Sequence, residues 1–460
     1  MPFKHKTGRF LGALLGLLLA QAETAMATEL GAGARILSLD DAVKEALRDN
    51  PRIKAARAGA NADDDQAKSA RGHLLPMVDV SIIYDNANSF EDLNLAALLA
   101  AILPPSSGSS SSGGTAPKPA PIQNENIGLG MATVAQPLLG LLHLAHDYDS
   151  ASDHADASQE NLKSQEADLR LTVEGGFLTL FEARALQGIA KASLEELQDQ
   201  EQLTEAKFRD GVLTRADVLR VKVALANADQ QRIQAEVQEQ IARASLLTVI
   251  GLPPDSTDVD FAEPTELESR AVPPELQKAE EFALEHRPEV HSAELERSAA
   301  HHSYLSSEFK LLPEINASAG YIRVQGLPSA LPPDYWTVGL SLSWPIWQWG
   351  ASYYQTRAAS ERNDAAASLV EGTRRQVQLD VNQRLLEEHA AATAVSAAQT
   401  AIQEAEEAYR VTASMVKAGA ATTTDLLDAQ SALTQAKLNL VRAKYQDLRA
   451  RASLTRALGA

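Results

Sequence analysis

Residues 419–430 read Gly419-Ala420-Ala421-Thr422-Thr423-Thr424-Asp425-Leu426-Leu427-Asp428-Ala429-Gln430, and a weaker version stands 208 positions earlier, where Gly211 is followed by Asp217-Val218-Leu219. Working outward from this pair, Gln136-Pro137-Leu138 against Trp344-Pro345-Ile346 and Ile250-Gly251 against Leu458-Gly459 keep the spacing of 208. Toward the N-terminus, Asp49-Asn50-Pro51 matches His286-Arg287-Pro288 and Leu74-Leu75-Pro76 matches Leu311-Leu312-Pro313, both at a spacing of 237. Two constant offsets indicate one unit written twice. Similarity among Ala-rich helices would not align the prolines and glycines. The offsets differ by about 29 residues, so the first copy holds that surplus between Pro76 and Pro137. That interval contains a Ser/Gly/Pro-rich stretch at 104–121, read as part of a long loop over 87–124.

Each copy has the same plan. A helix of about 33 residues (near 40–72 and 276–310) precedes two strands, a helix of about 70 residues (near 138–210 and 346–418), a turn, and a helix of about 37 residues (near 214–250 and 422–458). The first repeat then spans 28–251, a linker 252–275 and the second repeat 276–460. At 1.5 Å per residue the long helix is about 105 Å, and the two shorter ones together match it. Gly211 and Gly419 end the long helices, a common place for a left-handed cap, and beyond each of them the chain must reverse direction. Gly175-Gly176 inside a long helix costs about 2 kcal/mol relative to Ala and is expected to mark a bend or a close approach.

The strands have period two. Val78, Val80, Ile82 and Tyr84 alternate with Asp79, Ser81 and Asp85. Ile127, Leu129 and Met131 alternate with Gly128, Gly130 and Ala132. Trp336, Val338, Leu340, Leu342 and Trp344 alternate with Thr337, Gly339, Ser341 and Ser343, and residues 315–324 form the least regular of the four. Strands of about ten residues can cross a bilayer at a barrel tilt, with lipid on the apolar face and water on the other. Four strands are too few to close a barrel, so closure requires several chains. In the last helix Leu426, Ala429, Leu433, Ala436, Leu440 and Ala443 form one seam, and Leu438, Val441, Tyr445 and Leu448 a second on another flank. A helix with two seams packs between two neighbours, as in a hollow helical barrel.

The ends and the composition narrow the class. Lys4, Lys6 and Arg9, the apolar run 10–20 and Ala25-Met26-Ala27 read as a secretory signal peptide over 1–27, with Thr28 first in the mature chain. The chain carries −19, and losing the net +2 of that segment leaves about −21. An acidic chain with no basic stripe argues against nucleic acid. The absence of cysteine excludes disulfides and cysteine-ligated metal. No further stretch reaches the length of a transmembrane helix. No nucleophile–base constellation, phosphate loop or paired-carboxylate cleft stands out, so no enzyme and no cofactor are expected. His143, His146 and Asp147 share helical spacing that could hold a metal, but are read as polar residues near a strand–helix junction. The adjacent His301 and His302 cannot share one helix face.

The 419–430 stretch, its partner at 211–219, Trp344-Pro345-Ile346-Trp347 and Asn50-Pro51 together make the sequence resemble the TolC-type outer-membrane efflux channels over nearly all of 38–459. The resemblance implies a mostly α fold with a membrane β-barrel. Four strands per chain would contribute to a trimeric twelve-strand barrel, and long antiparallel helices would form a periplasmic α-barrel. It implies a passive exit duct for multidrug or metal efflux or type I secretion. Its partners would be a periplasmic adaptor, an inner-membrane pump and outer-membrane lipid. It also implies that Gly211, Val212, Leu213, Gly419, Ala420 and Ala421 contact the adaptor, and that Asp425, Asp428 and Asp217 narrow the periplasmic aperture. Asp425 and Asp428, three apart, lie on one helix face and would stack as two acidic rings under threefold symmetry. An aspartate in a first helical turn also complements the helix dipole. Where the family latches its mouth with a tyrosine before the second glycine and an arginine after it, this chain has Val416 and Ala421, and Arg215 is the substitute offered by the first copy. The competing expectation is a non-channel periplasmic coiled-coil scaffold, which has no use for lipid-facing strands.

Overall fold

Proline shapes the start of both copies. A computed structural model describes residues 35–86, 126–263, 275–325 and 333–459. In place of one helix over 40–72 it has two, α1 (Leu39–Asp49) and α2 (Pro51–Gly72), after a short strand β1 (Arg35–Leu37). In both copies the residue before the proline caps the first helix in extended conformation, Asn50 with ψ 125° and Arg287 with ψ 125°. A proline disfavours helical geometry in its predecessor, yet suits the first position of a new helix. The expected continuous helix over 276–310 is likewise α5 (Leu276–His286) and α6 (Pro288–Phe309), and the copies agree in length, 11 and 22 residues each.

The remaining elements are β2 (Met77–Asn86), β3 (Asn126–Pro137), α3 (Leu141–Arg209), α4 (Arg215–Ile250), β4 (Val259–Phe261), β5 (Glu314–Gln325), β6 (Asp334–Ser343), α7 (Ala351–Lys417) and α8 (Thr423–Ala457). Three paired starts obey the offsets read from the sequence: Met77 and Glu314 stand 237 apart, and Asn126 and Asp334, like Arg215 and Thr423, stand 208 apart. Helices α3 and α7 have 69 and 67 residues. The signal segment and the 87–124 loop lie outside the described residues.

Two compact units arise, each drawing on both copies. The first comprises the described parts of Met1–Ala56, Ser164–Arg287 and Val377–Ala460. Its core follows helical spacing on α3: Val173, Phe177, Leu180 and Phe181 form one face, which packs with Ala242, Leu246, Leu247 and Ile250 of α4 and Ala42, Val43 and Ala46 of α1. A parallel pair, β1 with β4, adds Leu37, Val259 and Phe261. This pair was not foreseen, and β4 lies inside the expected linker. Three residues per strand carry too little periodicity to be seen in sequence. The Gly175-Gly176 pair is a close approach on one side only: a Cβ on Gly176 would sit 3.3 Å from Leu246 Cδ1, and one on Gly175 would meet nothing.

The duplication recurs where the last helix of each copy ends. Gly251 and Gly459 hold φ 97° and 87°. A Cβ on Gly251 would lie 3.2 Å from the Asp49 carbonyl, and one on Gly459 would lie 2.9 Å from that of His286. Each glycine therefore lets its chain pass against the proline break of its own copy, and Asn50 Nδ2 donates to the Val249 carbonyl at 2.9 Å in support.

The second unit, Arg57–Lys163 and Pro288–Gln376, holds an antiparallel sheet in the order β2-β3-β5-β6. It is open: among the described residues of the single chain the outer edges of β2 and β6 have no partner. The register places Val78, Val80 and Ile82 opposite Val134, Ala132 and Gly130, and Tyr321 and Ala319 opposite Trp336 and Val338. One face thus exposes Ile82 (80%), Trp336 (78%) and Val338 (86%), together with Val80 and Leu340. The register also corrects the reading of β3. Its apolar row, Leu129 and Met131, pairs with Ile83 and Ser81 and so lies on the opposite face, while Gly128, Gly130 and Ala132 lie with the exposed apolar residues. Alternation reveals two faces but not which one a neighbour shares.

Candidate functional site

The α3–α4 and α7–α8 turns, both in the first unit, are built identically. In the first, the Val212 amide donates to the Lys207 carbonyl at 2.9 Å and the Gly211 amide to Phe208 at 3.0 Å. In the second, Ala420 donates to Met415 at 2.8 Å and Gly419 to Val416 at 3.2 Å. This pair of bonds is the Schellman closure of a helix, which needs a left-handed residue. Gly211 and Gly419 supply it with φ 76° and 73°. The tips they project are uncharged: Val212 is 70% exposed, and Ala420 is also exposed.

The chain then re-enters a helix through a capping box, Thr214 with Asp217 and Thr422 with Asp425. Asp425 Oδ2 accepts from the Thr422 amide and hydroxyl, both at 2.7 Å, and the Asp425 amide donates back to Thr422 Oγ1 at 3.2 Å. Asp217 Oδ2 accepts from the Thr214 amide at 3.0 Å and hydroxyl at 2.6 Å. Such reciprocal bonds satisfy the otherwise unpaired amides of a first turn. They also hold both carboxyls below their usual range: Asp425 chiefly through the Thr422 backbone bond, Asp217 chiefly through the Thr214 side chain. Asp428 is exposed one turn further along α8.

The sequence reading missed three residues here. Thr214 and Thr422 were legible as Thr-x-x-Asp at a spacing of three. Arg220 was not. Its Nη1 lies 3.4 Å from Asp217 Oδ1 and 3.3 Å from Thr424 Oγ1, so it ties the first-copy cap to the start of α8. Arg215 is exposed at the first position of α4, and the cross-hairpin contact belongs to Arg220. Below the turn, Lys222 Nζ pairs with Glu205 at 2.8 Å, and Gln430 Nε2 donates to Glu196 at 3.2 Å.

The histidines set aside in the sequence separate. Asp147 accepts from Ser306 Oγ at 2.5 Å and pairs with Lys310 at 3.1 Å. Burial, then nearby Lys310, lowers the basicity of His143. His146 turns instead toward His302 on α6, with their Nδ1 atoms 3.1 Å apart.

The family described as "Outer membrane efflux protein" matches residues 42–252 and 281–460. The outer membrane efflux protein BepC of Brucella suis is 24% identical over 305 residues, covering 66% of this chain and 66% of that protein. The alkaline protease secretion protein AprF of Pseudomonas aeruginosa is 26% identical over 303 residues, covering 65% of this chain and 62% of that protein. The chain thus spans just under two thirds of the length of either relative. The crystal structure of the outer membrane protein VceC of Vibrio cholerae is 18% identical, with a TM-score of 0.77 over 92% of this chain and 96% of that one.

Proposed function

Because this chain belongs to the outer membrane efflux protein family, and is therefore an outer-membrane protein and not an enzyme, we propose that it forms the passive exit duct of a multidrug or metal efflux or type I secretion assembly. Three copies close a twelve-strand barrel in outer-membrane lipid and a helical tunnel in the periplasm. The hairpin tips Gly211, Val212, Leu213, Gly419, Ala420 and Ala421 meet a periplasmic adaptor, which joins the duct to an inner-membrane pump. Asp425, Asp428 and Asp217 line the aperture, and Arg220 takes the place of the family latch.

The observation that carries this reading is the open sheet. Val78, Val80, Ile82, Tyr84, Trp336, Val338, Leu340 and Leu342 are all exposed in the single chain. Covering such side chains is worth about 1.5–3 kcal/mol each, or on the order of 10–20 kcal/mol together, as much as the whole stability of an ordinary domain, about 5–15 kcal/mol. Lipid covers that face, and further copies pair the edges of β2 and β6, since an exposed apolar edge is otherwise an aggregation site. A soluble scaffold offers neither cover. No helix among the described residues is long and apolar enough to cross a membrane. The helices agree. Leu219, Val223, Ile233, Val237 and Ile241 are exposed along α4, and on α8 Leu426, Leu433 and Ala436 of the first seam are buried, while its Ala429, Leu440 and Ala443 and the second seam's Leu438, Val441 and Tyr445 are only half covered. Both are faces for a second copy.

The detergent-purified protein reconstituted into a planar bilayer should give long-lived, ohmic conductance steps without nucleotide or other energy source. A trimer that inserts but carries no ionic current would contradict a continuous duct.

A further inference from the structure

The second unit brings three metal-ligating side chains to one point. His146 and Asp149 lie one turn apart on α3, and His302 reaches them from α6. The two Nδ1 atoms are 3.1 Å apart, and each lies 3.9 Å from Asp149 Oδ2. A triangle of these sides has its centre about 2.1 Å from every corner (the product of the sides over four times the area). That is close to the Zn–N and Zn–O bond lengths of about 2.0–2.2 Å, and drawing the Asp149 oxygen in by about 0.5 Å would lift the ion out of the donor plane into a tetrahedral site. With no cation between them, two Nδ1 atoms this close must share a single proton.

The surroundings favour the metal-binding tautomer. For Nδ1 of His302 to offer a lone pair, its proton must sit on Nε2. Asp153 Oδ2 is 3.9 Å from that Nε2, is buried, and has no hydrogen-bond partner among the described residues. A carboxylate behind a ligating imidazole is the usual orienting group of such sites. The Phe309 ring stacks on His146 at 5.3 Å and 14°, fixing its plane, and Ser150 Oγ donates to the Ala299 carbonyl at 2.8 Å, holding α3 to α6 beside the cluster. We propose that His146, His302 and Asp149 bind a divalent borderline transition ion such as Zn2+, with Asp153 as positioning residue and water as fourth ligand. Two imidazoles and one carboxylate suit that class rather than Ca2+, Mg2+ or Cu(I). The ion clips α6 to α3.

The test uses the full chain as assembled in the membrane, purified, stripped with chelator and titrated with Co2+. One Co2+ per chain with the intense visible absorption of four-coordinate cobalt is expected. Asp153→Asn should weaken binding by about 10–100-fold, and His302→Ala by more. Zn2+ should raise the melting transition of the unmodified protein and leave that of His302→Ala unmoved. Because His302→Ala can perturb packing, His146→Gln serves as a second ligand variant. The proposal is overturned if the unmodified protein shows no saturable uptake. It is equally overturned if only the weak absorption of six-coordinate cobalt appears, or if all three variants bind as tightly as the unmodified chain.

Discussion

Gly419→Lys is expected to abolish export while the protein still reaches the outer membrane. At φ 73° a residue with a side chain sits in the left-handed region, at a cost of about 1–2 kcal/mol. A Cβ there meets nothing within 4 Å, so the helices beneath remain undisturbed and the fold survives. What changes is the surface. An uncharged tip of glycine and alanine acquires a long cation, repeated on every copy around the rim proposed to meet the adaptor. A docking penalty above about 1.4 kcal/mol already lowers affinity tenfold, and several equivalent tips compound it. Gly419→Asn separates strain from surface chemistry: asparagine tolerates the left-handed region and carries no charge, so that variant should export nearly normally. The check is export by cells carrying each variant, beside outer-membrane levels. Normal export by Gly419→Lys would remove the tip from the docking surface.

The acidic mouth should respond almost as strongly. Asp425→Asn with Asp428→Asn removes six carboxylates from the proposed trimer, yet leaves an oxygen at position 425 to accept from Thr422. Alanine there would also remove the bonds that position 425 accepts from Thr422, the return half of the capping box, and confuse charge with structure. In a planar bilayer the double variant should lose cation selectivity and be blocked by trivalent cations from the periplasmic side about tenfold less tightly, equivalent to about 1.4 kcal/mol. The pH dependence has a definite sign. The Thr422 bonds lower the Asp425 carboxyl, so its stabilisation of the cap is complete above the unfolded value, about 3.9, and is lost only as pH falls through the lower folded value. Selectivity carried by Asp425 should therefore persist through pH 4, where an ordinary carboxylate is about half neutralised. Unchanged selectivity and block in the double variant would leave both aspartates as helix-start residues only.

Much of this was legible because it rests on local rules. Proline and glycine mark backbone geometry directly, so the offsets of 237 and 208 located element starts in both copies. The reversal at Gly211 and Gly419 was readable for the same reason. What stayed hidden depends on pairing across long separations. Register decides which face Leu129 and Met131 share, and alternation within β3 is silent on it. Pro51 and Pro288 were visible, yet periodicity running across them suggested one helix where two meet. Arg220 touches Thr424 from 204 residues away, and His302 meets His146 from 156. The rule that His301 and His302 cannot share a face is sound, but it does not bear on whether one of them joins a distant helix.

The assembly itself is the central claim, and native mass measurement tests it most directly. One chain has a mass of 49.3 kDa. Cells should be fractionated, the outer membrane extracted with mild detergent, and the mass of the intact protein measured after the detergent is removed in the gas phase. The account predicts material found only in the outer-membrane fraction, with the mass of three mature chains. A single-chain mass in the soluble periplasmic fraction would contradict it.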